Sequence, residues 1–207
     1  MVKILFLRAM SALVTAMALL AGSGAQASVV LQVNASGILT GATGLKVVNT
    51  YYDVAFKDGT CIALFHGCDA PSDFPFDWGT AIAASTVLMT DVFMGTFDTQ
   101  PRLIQGCNSS ANTSNQCYVY TPWGFDATFL YAIAAHNMAL ESGDGVLTDT
   151  RYVQAGDSSF APTLTYAVWT VSADQGSPSS TVPEPSSLVL LGVGLAGLMG
   201  VRQRKPG

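Results

Sequence analysis

Two uncharged apolar runs, one near each end, constrain this 207-residue chain more than anything between them. The first covers about residues 9–21 and the second residues 188–201. Each is shorter than the roughly 20 apolar residues of an ordinary membrane span. No stretch of the middle, residues 28–182, reaches that length either, which excludes a multi-span membrane fold. The middle has the size of one domain with a single core. Aromatic residues make up 10% of the chain, so a disordered middle is also excluded. Only 11% of residues are charged, and most of the positive charge lies at the ends. Between residues 28 and 182 stand four basic residues, Lys46, Lys57, Arg102 and Arg151, against thirteen acids, a formal charge of −9. Such a surface repels the densely charged backbone of nucleic acid.

The two ends have different grammars. Lys3 and Arg8 precede the first run, and Ala25-Gln26-Ala27 follows it with small residues at both positions that a signal peptidase reads. Residues 1–27 are expected to be a signal peptide cleaved after Ala27, in preference to a retained anchor. At the other end Val182-Pro183-Glu184-Pro185-Ser186-Ser187 leads into the second run, and Arg202-Gln203-Arg204-Lys205 closes it. As a helix that run would be about 21 Å long, short of a bilayer core. Snorkelling of Arg202 closes part of the gap. Arg202, Arg204 and Lys205 act as a stop-transfer cluster on the cytoplasmic side. The run is broken by four glycines and reads as a temporary anchor, with a permanent tail anchor as the alternative.

Pro183-Glu184-Pro185, the short span and the basic end, behind an N-terminal signal, resemble the PEP-CTERM sorting signal of exopolysaccharide-producing Gram-negative bacteria. The resemblance covers residues 182–205. It implies that exosortase, a membrane-embedded cysteine transpeptidase-like enzyme, reads the motif and processes the tail. Leu39-Thr40-Gly41-Ala42, Tyr52-Asp53-Val54-Ala55-Phe56 and Asp58-Gly59-Thr60-Cys61 look like ectodomains attached to this signal. That second likeness supplies no activity.

Residues 28–171 read as an α+β ectodomain: a small antiparallel sheet with one main helix packed on it. Residues 172–181, rich in Ser, Gly and Pro, form a linker. Tyr52, Val54 and Phe56 alternate with polar neighbours at the period of a half-buried strand. Val47-Val48 lies on the strand before, and Asp58-Gly59 predicts a tight turn with Cys61–Phe65 continuing after it. A helix is expected after a cap at Asp77 or Thr80, burying Ile82, Ser85, Met89, Val92 and Phe93 and stopping at Gly95. Residues 98–116 lack an apolar period and read as loop. Tyr118 and Tyr120 form a short strand ended by Pro122. Residues 125–140 fit helix or strand; the turn signal Ser142-Gly143-Asp144-Gly145 favours strand. Alternation from Thr163 to Val171 marks the last strand.

Cys61/Cys68 and Cys107/Cys117 fall as two local pairs. In an exported chain an even count predicts disulfides, and of three connectivities the two local ones are favoured. Cys61, His66, Cys68 and Asp69 also carry metal-ligating groups, but the spacing is unlike zinc sites, and neither a metal nor a cofactor is expected. Asp69, Asp73 and Asp77 recur every four residues, yet Pro71 and Pro75 bar a helix there, leaving a solvated acidic loop. No nucleophile elbow, zincin motif or phosphate loop is present, so no catalytic residue is assigned. Asn34, Asn108 and Asn112 match glycosylation acceptors, a match that in a bacterium carries little. Trp123, after Pro122, is the better exposed candidate for stacking on sugars; Trp78 is a second, and Trp169 belongs in the core. The leading expectation is a non-enzymatic surface or extracellular-matrix protein, exported, held transiently in the inner membrane by its C-terminal helix, and then at the surface among exopolysaccharide. The alternatives are a secreted hydrolase and a carbohydrate-binding or adhesion module.

Overall fold

The computed structural model describes residues 28–139 and 143–173. The expected signal peptide with its cleavage site at Ala25 and Ala27, most of the expected linker, and the expected sorting segment and anchor helix lie outside the described residues.

Seven strands form one sheet. They are β1 (Val30–Val33), β2 (Leu39–Val47), β3 (Thr50–Lys57), β4 (Gln116–Phe125), β5 (Phe129–Met138), β6 (Gly145–Val153) and β7 (Leu164–Val171), in the order β1-β2-β3-β7-β4-β5-β6. Every pairing is antiparallel except β4 with β7, which run parallel over Tyr118–Tyr120 and Leu164–Tyr166. The expected α+β class holds. The sheet is larger than expected and mixed, because the last strand inserts between two earlier ones instead of adding at an edge.

The alternating segments form strands as their period requires. Within the ambiguous stretch, Phe129–Met138 forms strand β5, as favoured, and the alternation ending at Val171 gives β7. Three local expectations are overturned. The hairpin turns at Val48-Asn49, where β2 meets β3, with Val48 at φ 56°. Asp58-Gly59 also turns the chain, but into a helical turn α1 (Cys61–Leu64), capped by Thr60, whose hydroxyl accepts from the Ala63 N–H. A strand there would carry Cys61 away from Cys68, whereas one helical turn folds it back. Pro122 does not end β4: a bulge between Pro122 and Gly124 carries the strand on to Phe125. The parallel neighbour has already left at Tyr120, so proline's missing N–H costs no pairing on that side.

The main helix, α2 (Trp78–Val87), starts where expected: the Asp77 carboxylate accepts from the Thr80 N–H at 2.8 Å. After Val87 it widens into a π turn, Leu88–Val92, in which Phe93 N–H reaches the Leu88 carbonyl at 2.8 Å. Ser85, Val92 and Phe93 are buried as expected, while Ile82 and Met89 are only half-buried. The deepest line is Ala81, Ala84, Ser85 and Leu88. These small residues let α2 lie close against β2, β4, β5 and β6, and the Ser85 hydroxyl reaches the Ile133 carbonyl at 3.4 Å.

Both faces of the sheet are covered. Val54, Phe56, Val119, Ile133, Ala167 and Trp169 pack with α2 on one face. Leu130, Leu164 and Tyr166 pack on the other with Cys61, Phe65, Cys68 and Phe74. The chain changes faces across Pro75: Phe74 contacts Phe65 and Phe125, while Phe76 contacts Tyr52 and Trp169. Strand β7 is therefore buried on both sides, as a central strand must be.

Candidate functional site

The loop between α2 and β4 contains more structure than its polarity suggested. It begins with a single turn, α3 (Thr96–Thr99), and a 3-10 turn, Pro101–Leu103. Ile104 then bridges to Leu39 in parallel, and Gln105 N–H donates to the Leu39 carbonyl at 2.9 Å. The Asn137 side-chain amide donates to the Phe97 carbonyl at 2.8 Å, tying α3 to β5. The segment is thus anchored at both ends to the sheet.

Cys107 and Cys117 are bonded, Cα–Cα 5.6 Å, and close the base of the Asn-rich loop. Asn112, an expected glycosylation match, is buried inside it: its amide donates at 2.9 Å to both the Cys107 and the Gln116 carbonyls. Asn115 leaves the loop at φ 50°, a conformation asparagine tolerates better than most residues. Cys61 and Cys68 are bonded likewise, Cα–Cα 5.7 Å. Both local disulfides are therefore as expected, and Cys61 and Cys68 have no thiolate to offer a metal. Among the described residues no three of His, Cys, Asp or Glu are placed to hold a metal ion.

Against this braced loop lies a cleft of about 490 Å³, lined by Ile38, Gln100, Arg102, Leu103, Asn108 and Asn115. Among the described residues its wall carries one cation, three amides, two aliphatic side chains and no acid. Nothing in the sequence marked it, because its residues come from three separated segments without a motif.

The other candidates are scattered. Trp169 is buried, as expected, and its indole N–H donates to the Thr121 hydroxyl at 3.2 Å. Trp123 is not the exposed tryptophan: its ring stacks on Tyr131 at 5.7 Å and its indole nitrogen is buried. Trp78, 50% exposed at the start of α2, is the exposed one. Asp69, Asp73 and Asp77 do not converge. Asp73 accepts from the Asp69 and Ala70 N–H groups, and Asp77 caps α2. His66 is exposed at φ 56°. His136 stacks on Tyr118 at 4.1 Å, with Nε2 3.3 Å from Gln116 Oε1, and burial pushes its imidazole down.

Two carboxyls are shifted upward. Burial raises the Asp58 carboxyl, although hydrogen bonds from Ser158 and Thr165 pull it down. Burial, and then the adjacent Asp144, raises Asp98. Beneath β7 the Tyr166 hydroxyl is fully buried with no hydrogen-bond partner, and burial pushes its phenol up.

These features define a cystine-stapled β-rich domain followed by a separate C-terminal segment. Residues 181–205 match the PEP-CTERM protein-sorting motif. The match supports a PEP-CTERM exosortase substrate sorted to the cell surface. No curated protein and no solved structure matches the chain. Among the described residues no helix is long and apolar enough to cross a membrane.

Proposed function

We infer that this is a non-enzymatic protein of the cell surface or extracellular matrix, whose C-terminal segment is removed by exosortase during export. The observation that carries the reading is the motif match at residues 181–205, placed directly behind a domain whose last strand ends at Val171. The domain's form supports it. Ser28 lies beside Gly44, and Ser172 N–H donates to the Tyr51 carbonyl at 3.0 Å, so both ends of the domain emerge at the β2–β3 hairpin end. A chain tethered there presents the far end of the sheet outward. Pro183 and Pro185 deny helical continuity before the span, and Glu184 resists entry into lipid. The motif waits at the outer face of the inner membrane, where the short apolar run and Arg202, Arg204 and Lys205 hold it until the tail is cut. Signal peptidase frees the other end after Ala27, and the released domain resides in exopolysaccharide. Intact-mass analysis of the protein from its native host tests this. The expected species starts at Ser28, contains two disulfides and ends before Leu188. A native protein that keeps residues 188–207 and stays in the membrane would make the tail a permanent anchor.

A further inference from the structure

We propose that the cleft between the β1–β2 turn and the cystine-braced loop binds a polysaccharide segment bearing one carboxylated sugar among neutral ones. The proposal rests on the surface-matrix reading for its setting, but its chemistry comes from the cleft itself.

Arg102 is one of only four basic residues between positions 28 and 182. Of the other three, Arg151 is engaged over the Phe129 ring at 5.1 Å, and Lys46 and Lys57 belong to β2 and β3. Arg102 is exposed, and among the described residues no acid lines its cleft. A guanidinium with no described carboxylate beside it in the cleft is fitted to an anion, and its fork matches a carboxylate. The remaining polar lining is uncharged: Gln100, Asn108 and Asn115. Asn108 accepts the Gly106 N–H through Oδ1 at 3.2 Å, which leaves its NH2 group as the amide's donor. Amides that donate and accept suit sugar hydroxyls. Ile38 and Leu103 give the cleft an aliphatic side for the C–H faces of a sugar ring.

One cation beside three amides sets the charge density of the ligand: one carboxylate per bound segment, flanked by hydroxyls. A ligand charged at every unit would meet no second cation and a domain of net negative charge. A volume of about 490 Å³ is that of a small-molecule site and takes a short oligosaccharide rather than a single ion. The walls are also pre-organised. Cys107–Cys117 and the Asn112 clamp fix the Asn108 and Asn115 positions, and the Ile104–Leu39 bridge fixes the Arg102 segment. Little ordering is left for binding to oppose.

The test is a ligand-observed NMR titration of the mature protein from its native host. The probe is xylotriose carrying one methylglucuronic acid, compared with xylotetraose and with sodium acetate. The acidic oligosaccharide is expected to bind at least tenfold more tightly than either, and more weakly as salt rises. Arg102→Ala is expected to weaken it at least tenfold. Asn115→Asp, which keeps the backbone conformation and adds a repelling charge, is expected to do the same. No binding of the acidic probe, equal binding of xylotetraose or acetate, or unchanged affinity in both variants would overturn the site. Failure of tail removal is read from the intact mass and leaves this titration unaffected, so the two readings fail separately.

Discussion

At the residue scale, the domain tolerates a half-buried carboxylate where three segments meet. Asp58 follows β3, accepts from the Ser158 hydroxyl at 3.3 Å, and lies against Gly106, which is held at φ 88°. Any side chain at position 106 would collide there: a Cβ would come 2.4 Å from Asp58 Oδ1 and 2.5 Å from the Thr165 side chain. The folded-state pKa of Asp58 is raised, chiefly by burial. A carboxylate raised in the fold binds more protons folded than unfolded, so its contribution is most favourable at low pH. That contribution is lost as pH rises through the folded pKa, which lies above the ordinary carboxylate range. Asp58→Asn keeps an acceptor for Ser158 and removes the half-buried charge. It is expected to melt above the wild type at pH 7, with the difference shrinking as the pH falls toward 4. Melting curves of both proteins across that range check this. Exposed Asp77, Asp126 and Asp157 have the opposite sign, each lowered mainly by hydrogen bonds, and are common to both proteins.

At the element scale, the two disulfides do different work although their loops are similar in length. Cys61–Cys68 closes α1 and its following turn beneath β7, where Phe65 and Phe74 cover Tyr166. Cys107–Cys117 joins the end of a loop to the start of β4. By chain entropy each is worth about 2–3 kcal/mol. Replacing Cys107 and Cys117 with Ser is expected to lower stability by that amount in urea unfolding. Because Asn112 depends on the same loop geometry, the variant should also lose protection of the loop in hydrogen exchange, while β5 and β7 keep theirs. Equal protection in the loop would mean that the Asn112 hydrogen bonds hold it alone.

At the scale of the whole molecule, the described sheet and both of its cores are built from residues before 173, and Glu184 lies outside them. Glu184→Ala is therefore expected to leave export, disulfides and melting temperature unchanged, and to shift the protein from the released to the membrane fraction as an uncleaved form. Fractionation of the native host with an antibody to the domain checks this; equal release of the variant would show that Glu184 is not read.

What the sequence by itself determined was local. The Pro-Glu-Pro tripeptide, the apolar run and the basic end made the sorting signal legible, because such a signal is read as linear chain, and residues 181–205 match the motif accordingly. Close cysteine spacing made both disulfides legible, since short loops close at the lowest entropic cost. Two-residue alternation made β3, β5 and β7 legible, because a strand's faces are set by its own pleat. Tertiary structure decided the rest. Strand order is not local: β7 enters between β3 and β4 because its two faces, Tyr166 on one and Ala167 with Trp169 on the other, both need cover. Cys61–Leu64 winds into a helical turn because its cystine must close beneath that sheet. Pro122 stays within β4 because the neighbouring strand has departed. The cleft at Arg102 exists only once the β1–β2 turn, the 3-10 turn and the braced loop are brought together, and no spacing along the chain encodes that meeting.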